Sequence, residues 1–312
     1  MELAGKTFLV TGGAGFIGSH LVDALLAQGA QVKVIDNLST GHLHNLQPVM
    51  DRIEFAQASV LDFDTLLGLA KGCAGIFHLA AVVSVPLTVK EPLQSHEVNS
   101  RGVVNVLEAA RLNGARVVFS SSAAVYGENE VLPHEEEKPL HPLSPYGVQK
   151  LYGEQCLFAY QRLYGVGGFA LRYFNVYGPR QDPGSPYSGV ISLFINWALR
   201  GDPMKILGDG EQTRDFIYVA DVVKANLLAM ETEGGDGVPI NVATGKTMSL
   251  KQLAEAVMAA SGTKSEVQHG PAREGDIRHS SALVERAKEL IAFQAQTPFE
   301  EGIARTVEFF RA

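Results

Sequence analysis

The chain has little cysteine: two in 312 residues, Cys73 and Cys156. Both sit in apolar patterns, which excludes a disulfide framework or a thiolate metal site and leaves reduced core thiols. It has no basic excess. Lys and Arg number 26 against 34 Asp and Glu, a formal net charge of −8, and that argues against a nucleic-acid partner. It has no apolar run of the length that crosses a bilayer, so no membrane partner is expected. Met1 to Lys6 lead straight into a strand-like run, so no signal peptide is expected and a reducing cytoplasm fits. Repeats and low-complexity stretches are absent as well. The 9 histidines show no ligand spacing. His42 and His44 share a loop, His78 lies in a strand-like run, and no metal is expected.

What is present begins at Thr11-Gly12-Gly13-Ala14-Gly15-Phe16-Ile17-Gly18. An apolar run, Phe8 to Val10, precedes it and a helix-like stretch, Ser19 to Leu26, follows. A glycine-rich turn between strand and helix is a diphosphate site: small residues admit the phosphates, and the helix start offers free N–H groups and partial positive charge. The spacing is Gly-x-x-Gly-x-x-Gly, a variant of the usual dinucleotide fingerprint. The next apolar run, Val32 to Ile35, ends at Asp36. A carboxylate there, roughly 20 residues past the glycines, accepts hydrogen bonds from an adenosine ribose and repels a 2′-phosphate, so NAD is expected over NADP.

The first half continues to alternate. Strands are expected at 53–55, 76–81 and 116–120, and a helix over 92–112 with apolar residues near helical period. Ser144-Pro145 opens another helix that runs to Tyr164 and stops at Gly165, followed by a strand at 168–174. The fold class read from this is α/β: a doubly wound, parallel, Rossmann-type sheet with a smaller C-terminal α/β substrate domain. The expected division is 1–178 for the NAD-binding domain and 179–312 for the substrate domain. A segment near 238–261, opening with the strand-like Val238 to Val242, is expected to return to the main sheet.

Tyr146 and Lys150 are four apart, hence on one face of the expected helix. Ser120-Ser121-Ser122 closes the 116–120 strand, and in an open parallel sheet the ligand crevice lies at the carboxyl ends of the strands. A free Tyr, with a pKa of about 10, is a poor base at neutral pH. The Lys150 ammonium and a positive nicotinamide ring both favour phenolate, which would let Tyr146 take a proton from a sugar hydroxyl.

These motifs, with Asp36 to Gly41, His78-Leu79-Ala80-Ala81, Ser120 to Gly127 and Leu171 to Gly178, occur in an order that resembles the extended short-chain dehydrogenase/reductases. Within them the chain is similar to the nucleotide-sugar 4-epimerases. The resemblance implies Ser122, Tyr146 and Lys150 as the catalytic triad. It implies Gly12, Gly15, Phe16, Ile17, Gly18, Asp36, Asn37, Ser39, Thr40, Gly41, Asp62, Leu79, Ala80, Ala81, Asn99 and Phe174 at the NAD cofactor, with Tyr146 and Lys150 beside it. It implies Asn175, Val190, Arg214, Arg273 and Asp276 at the nucleotide diphosphate of a UDP-sugar, where a guanidinium fork suits a pyrophosphate. Ser122, Tyr146 and Ser84 are implied at the sugar, and a homodimer through a four-helix bundle completes the list.

The residues after Ser122 narrow the reaction. Related dehydratases carry Asp-Glu there and related decarboxylases a Glu nearby, whereas this chain has Ala123 and Ala124. With no further acid, the expected chemistry is oxidation at C4, turnover of the 4-keto sugar and return of the hydride. Ser280 matches a family position where Tyr restricts the pocket to UDP-glucose and UDP-galactose. A small residue there leaves room for the 2-acetamido group of UDP-GlcNAc and UDP-GalNAc. A UDP-glucuronate 4-epimerase, another nucleotide-sugar enzyme of this group such as a reductase, and an NAD-binding redox sensor are the alternatives.

Overall fold

The computed structural model describes all residues except 128–130, 183–188, 235, 273–276 and 312. Seven strands form the main sheet: β1 (Thr7–Thr11), β2 (Gln31–Ile35), β3 (Ile53–Ala56), β4 (Gly75–His78), β5 (Arg116–Ser122), β6 (Gly168–Tyr173) and β11 (Asp236–Val242). The other strands are short: β7 (Asn175–Tyr177), β8 (Met204–Leu207), β9 (Thr213–Arg214), β10 (Phe216–Tyr218), β12 (Met248–Ser249) and β13 (Val267–Gly270). The main sheet runs β11-β6-β5-β4-β1-β2-β3, and every pairing in it is parallel. The chain leaves β1 in one direction, through β2 and β3, then crosses back to β4. That reversal opens a crevice beyond the carboxyl ends of β1 and β4.

Helices cover both faces. α1 (Phe16–Ala27) and α8 (Val219–Glu231) lie on one, α2 (Phe63–Ala70), α5 (Gly102–Asn113) and α6 (Pro145–Tyr164) on the other. Between β4 and α5 come α3 (Val85–Lys90) and α4 (Pro92–His96). The C-terminal part adds α7 (Val190–Arg200), α9 (Leu250–Ser261), α10 (Glu285–Ile291) and α11 (Phe299–Arg311). A separate core of Ile195, Met204, Ile206, Leu253, Val257 and Ile303 holds α7, α9 and α11 around β8. Burying such side chains is the main favourable term, about 1.5–3 kcal/mol for each fully buried Leu, Ile or Phe.

Two departures from the sequence expectation bear on the site. The helix expected over 92–112 is broken: Glu97–Arg101 forms a π-helical turn between α4 and α5. Such turns re-aim side chains at functional sites, and this one carries Asn99, whose Oδ1 accepts from Val82 N at 2.7 Å and whose Nδ2 donates to Val82 O at 2.9 Å. The strand expected over 76–81 ends at His78, so Leu79 to Ala81 leave the sheet and line its edge. The strand 236–242 does lie on the main sheet, paired with β6.

Candidate active site

The glycine motif is shaped by backbone contact. Gly12 has φ +72°, and a Cβ on it would lie 2.8 Å from Ala80 N. A Cβ on Gly18 would lie 2.1 Å from the Gly12 carbonyl, so α1 packs against the turn only with glycine there. Gly15 differs. A Cβ on it would meet only the Gly12 oxygen, at 3.2 Å. The fold thus presses on position 15 less than on 12 or 18. α1 also begins without a side-chain cap, whereas Asp62, Ser84, Ser144 and Ser249 cap α2, α3, α6 and α9. An uncapped amino end facing a cleft is suited to a diphosphate.

Asp36 sits at the tip of β2, buried, and accepts from Ala14 N at 2.9 Å and Leu38 N at 2.8 Å. Burial raises its pKa and the two backbone donors oppose that. Its carboxylate thus braces the glycine turn, with acceptor lone pairs remaining for a hydroxyl. Gly41 packs against it: a Cβ there would lie 2.9 Å from Asp36 Oδ2. Asn37, Ser39 and Thr40 form an exposed turn beside it, tied by Ser39 N donating to Asn37 Oδ1 at 3.1 Å. Phe16 stands edge-on to His20, and Ile17 packs into the core. Ala80 N donates to Thr11 Oγ1 at 3.2 Å, holding the 79–81 segment over β1.

Other expected cofactor residues have structural duties. Asp62 is exposed and caps α2, accepting from Thr65 N at 3.2 Å and Thr65 Oγ1 at 2.7 Å. Asn99 is buried, and its second Nδ2 hydrogen goes to Gln149 Oε1 at 2.7 Å. Phe174 is buried against Tyr126 and His134.

The expected catalytic residues meet at the end of β5. Ser144 Oγ accepts from Gly147 N at 3.1 Å and sets the start of α6. A Cβ on Gly147 would lie 2.6 Å from the Ala124 carbonyl, so this helix start presses on the turn after Ser122. Ser122 Oγ accepts from Ala124 N at 3.2 Å, and its side chain faces the Tyr146 phenol and acts to lower its pKa. Lys150, buried, donates to the Ser120 carbonyl at 2.7 Å, and its Nζ lies 5.7 Å from the Tyr146 ring centre.

Burial works against the charged forms of both groups. It pushes the Tyr146 phenol up to about 12, against the Ser122 side chain, which lowers it. Burial also pushes Lys150 down to about 7, against Glu154, which raises it. The expected phenolate therefore relies on the nicotinamide charge as well as on Lys150.

On the other wall, the 213–215 segment gathers the expected substrate residues. Arg214 Nη1 donates to the Thr213 carbonyl at 2.9 Å, and Ser280 N donates to that same carbonyl at 3.2 Å. Asn175 N and Nδ2 both donate to Asp215 O, at 3.1 and 3.0 Å. Val190 opens α7, and Ser280 is buried. Ser84 caps α3, accepting from Leu87 N at 3.1 Å. Arg273 and Asp276 lie outside the described residues. Among the described residues no cluster of His, Cys, Asp and Glu could hold a metal, and no helix is long and apolar enough to cross a membrane.

Comparison with known proteins gives the family. The profile of the NAD dependent epimerase/dehydratase family matches residues 8–243. The chain belongs to that family. A UDP-glucose 4-epimerase of Mycolicibacterium smegmatis is 44% identical over 309 residues, 97% of this chain and 98% of that protein. The UDP-N-acetylglucosamine 4-epimerase of Methanobrevibacter ruminantium, solved in complex with UDP-N-acetylmuramic acid, matches with TM-score 0.95 and 42% identity over 99% of both chains. The Thermus thermophilus UDP-glucose 4-epimerase, solved with NAD, matches with TM-score 0.89 and 38% identity over 98% of this chain and 99% of that one. NAD is the family's cofactor, and the glycine turn, the uncapped α1 and the acid at the tip of β2 fit it.

Sequence reasoning missed residues that hold the site. Glu154 and Arg172 form a buried ion pair beneath Lys150. Asp215, fully buried, accepts from Thr244 N at 2.9 Å, Thr244 Oγ1 at 2.7 Å and Gly245 N at 2.8 Å. A signal for the first pair was available: a charged residue inside an otherwise apolar strand needs a partner.

Proposed function

We propose that this protein interconverts the C4 epimers of a UDP-sugar, with Tyr146, Ser122 and Lys150 as the residues at the reacting carbon. The observation that carries the reading is the grouping of the Tyr146 phenol, Ser122 and a buried Lys150 at the carboxyl end of β5, followed by Ala123 and Ala124. Ser122 orients the 4-hydroxyl and Tyr146 accepts its proton. Lys150 lends positive charge beneath them, fixed by the Ser120 carbonyl. NAD, when bound along the glycine turn and Asp36, supplies reversible uptake of two electrons and a proton equivalent from C4. The same Tyr146 then returns the proton to the inverted hydroxyl. The two alanines offer no group for elimination or decarboxylation, so the reaction closes as an isomerisation.

The uridine diphosphate is assigned to Asn175, Val190 and Arg214, with Arg273 and Asp276. The sugar is assigned to Ser84, Ser122 and Tyr146. Asp62, Asn99 and Phe174 act at the cofactor by holding the segments around it. Ser280, small and buried next to the Thr213 carbonyl, leaves room for a 2-acetamido group, so UDP-GlcNAc and UDP-GalNAc are substrates beside UDP-Glc and UDP-Gal. The protein works in the cytoplasm as a homodimer. Val148, Tyr152 and Phe158 on α6 are exposed, with Leu93 on α4 and Val89 on α3 beside them, an apolar surface suited to a second copy.

The test is product analysis by proton NMR with UDP-Glc, UDP-GlcNAc, UDP-glucuronate and UDP-Gal, together with absorbance at the NADH wavelength. C4 epimers are expected with both hexose and acetamido sugars and with no net NADH. Turnover of UDP-glucuronate alone, or net cofactor consumption, would replace this reading. Sedimentation of wild type against Tyr152→Glu tests the dimer, with a monomer expected for the variant.

A further inference from the structure

We propose that the buried Glu154–Arg172 pair is a positioning device that sets the charge and place of Lys150. Residues 146, 150 and 154 recur on one face of α6, which points at the sheet. Glu154 is 3% exposed and Arg172 1%. Arg172 grips the carboxylate with a fork, Nε to Oε1 at 2.9 Å and Nη2 to Oε2 at 2.7 Å. Ser121 Oγ donates to the same Oε1 at 2.5 Å. The third arm, Nη1, donates to Tyr126 Oη at 3.0 Å and the Glu136 carbonyl at 3.2 Å. The pair thus ties together three points: one turn beyond Lys150 on α6, one residue before Ser122 on β5, and the carboxyl end of β6.

A buried ion pair adds little net stability over well-packed apolar residues, so its position invites another explanation. Lys150 has no ion-pair partner among the described residues, and Glu154 is the anion that acts on it. The surrounding elements bring few other charges. β4 contributes His78, which burial keeps neutral, and β6 contributes Tyr173 besides Arg172. On the packed helices, Lys90 pairs with Glu91, Arg101 with Glu97 and Arg111 with Glu108, while His96 is exposed. Arg116, at the opposite end of β5, donates to the Thr232 and Gly234 carbonyls. Lys150 therefore responds to the balance within one pair. Glu154 favours the ammonium, and Arg172 restrains the carboxylate that does so.

That balance gives the two partners opposite signs, which a purely structural role does not. The experiment is a pH titration of Lys150 in the NAD-bound protein by carbon NMR of ε-labelled lysine, the signal assigned by its loss in Lys150→Met. In E154Q the midpoint is expected to fall by one pH unit or more, and in R172M to rise. The charge-free double variant E154Q/R172M retains packing and serves if a single variant does not fold; its midpoint is expected to fall by less than that of E154Q. The pH profile of epimerisation should move in the same directions, which rests on the function proposed above. An inactive wild type would overturn that function while leaving the titration decisive. Midpoints that stay in place in folded E154Q or in the double variant, or that move the same way in both single variants, would overturn the proposal.

Discussion

The two walls of the cleft are built by different means. The wall formed by β1, α1 and the tip of β2 is made of main chain, held by glycines whose missing side chains admit other backbone at 2.1 to 2.8 Å. The facing wall is made of side chains on short elements. Arg214 and Ser280 are gathered by one carbonyl of a two-residue strand. The difference shows what each wall tolerates. Backbone geometry fixes the cofactor side for any member of the fold, while single side chains can retune the sugar side.

The largest break of this contrast comes at the chemistry. Tyr146→Phe removes one oxygen and no packing, so kcat should fall about 10²–10⁴-fold with KM for the UDP-sugar little changed, read by steady-state kinetics beside a circular-dichroism check of fold. Next come two glycines of the same motif. Gly18→Ala drives a methyl into the Gly12 carbonyl and should lower stability by about 1–3 kcal/mol and abolish NAD retention. Gly15→Ala, with a single 3.2 Å contact to relieve, should cost less stability than Gly18→Ala while NAD affinity falls markedly. Urea unfolding and calorimetric NAD binding separate the two. Equal stability losses would mean that Gly15 serves the fold and not a ligand.

On the sugar side, Ser280→Tyr should lower kcat/KM for UDP-GlcNAc relative to UDP-Glc by about 10-fold or more. An unchanged ratio would remove the size argument. The smallest effect is one of pH. Burial holds His78 down to about 3 and His134 down to about 4, from an ordinary 6.5. The unfolded chain therefore takes up these protons first, and stability present above pH 6.5 is lost as pH falls toward 4. Each histidine contributes a slope of up to about 1.4 kcal/mol per pH unit. Urea midpoints between pH 7 and 4.5 should show a shallower fall in His134→Gln than in wild type.

Much of the cofactor wall was legible in the sequence because it follows from spacing: Gly12, Gly15, Gly18 and Asp36 need only a strand–turn–helix–strand frame to take their places. Tyr146 and Lys150 were legible because four residues is one helical turn. The π-turn at 97–101 was not, since apolar periodicity changes little when one residue is added to a turn. Nor was the effect of burial on Tyr146. Sequence places a cation beside the phenol, whereas its charge state depends on how much water both groups lose. Glu154 and Arg172 lie 18 residues apart in the chain and meet only when α6 packs against β6.

The most direct test of the account is epimerisation run in D2O, with C4 of the product read by NMR. If Tyr146 moves only the hydroxyl proton while the C4 hydrogen is taken and given back within one active site, the epimer will carry protium at C4 and absorbance will show no net cofactor change. Deuterium at C4, or no epimer from any UDP-sugar, would contradict it.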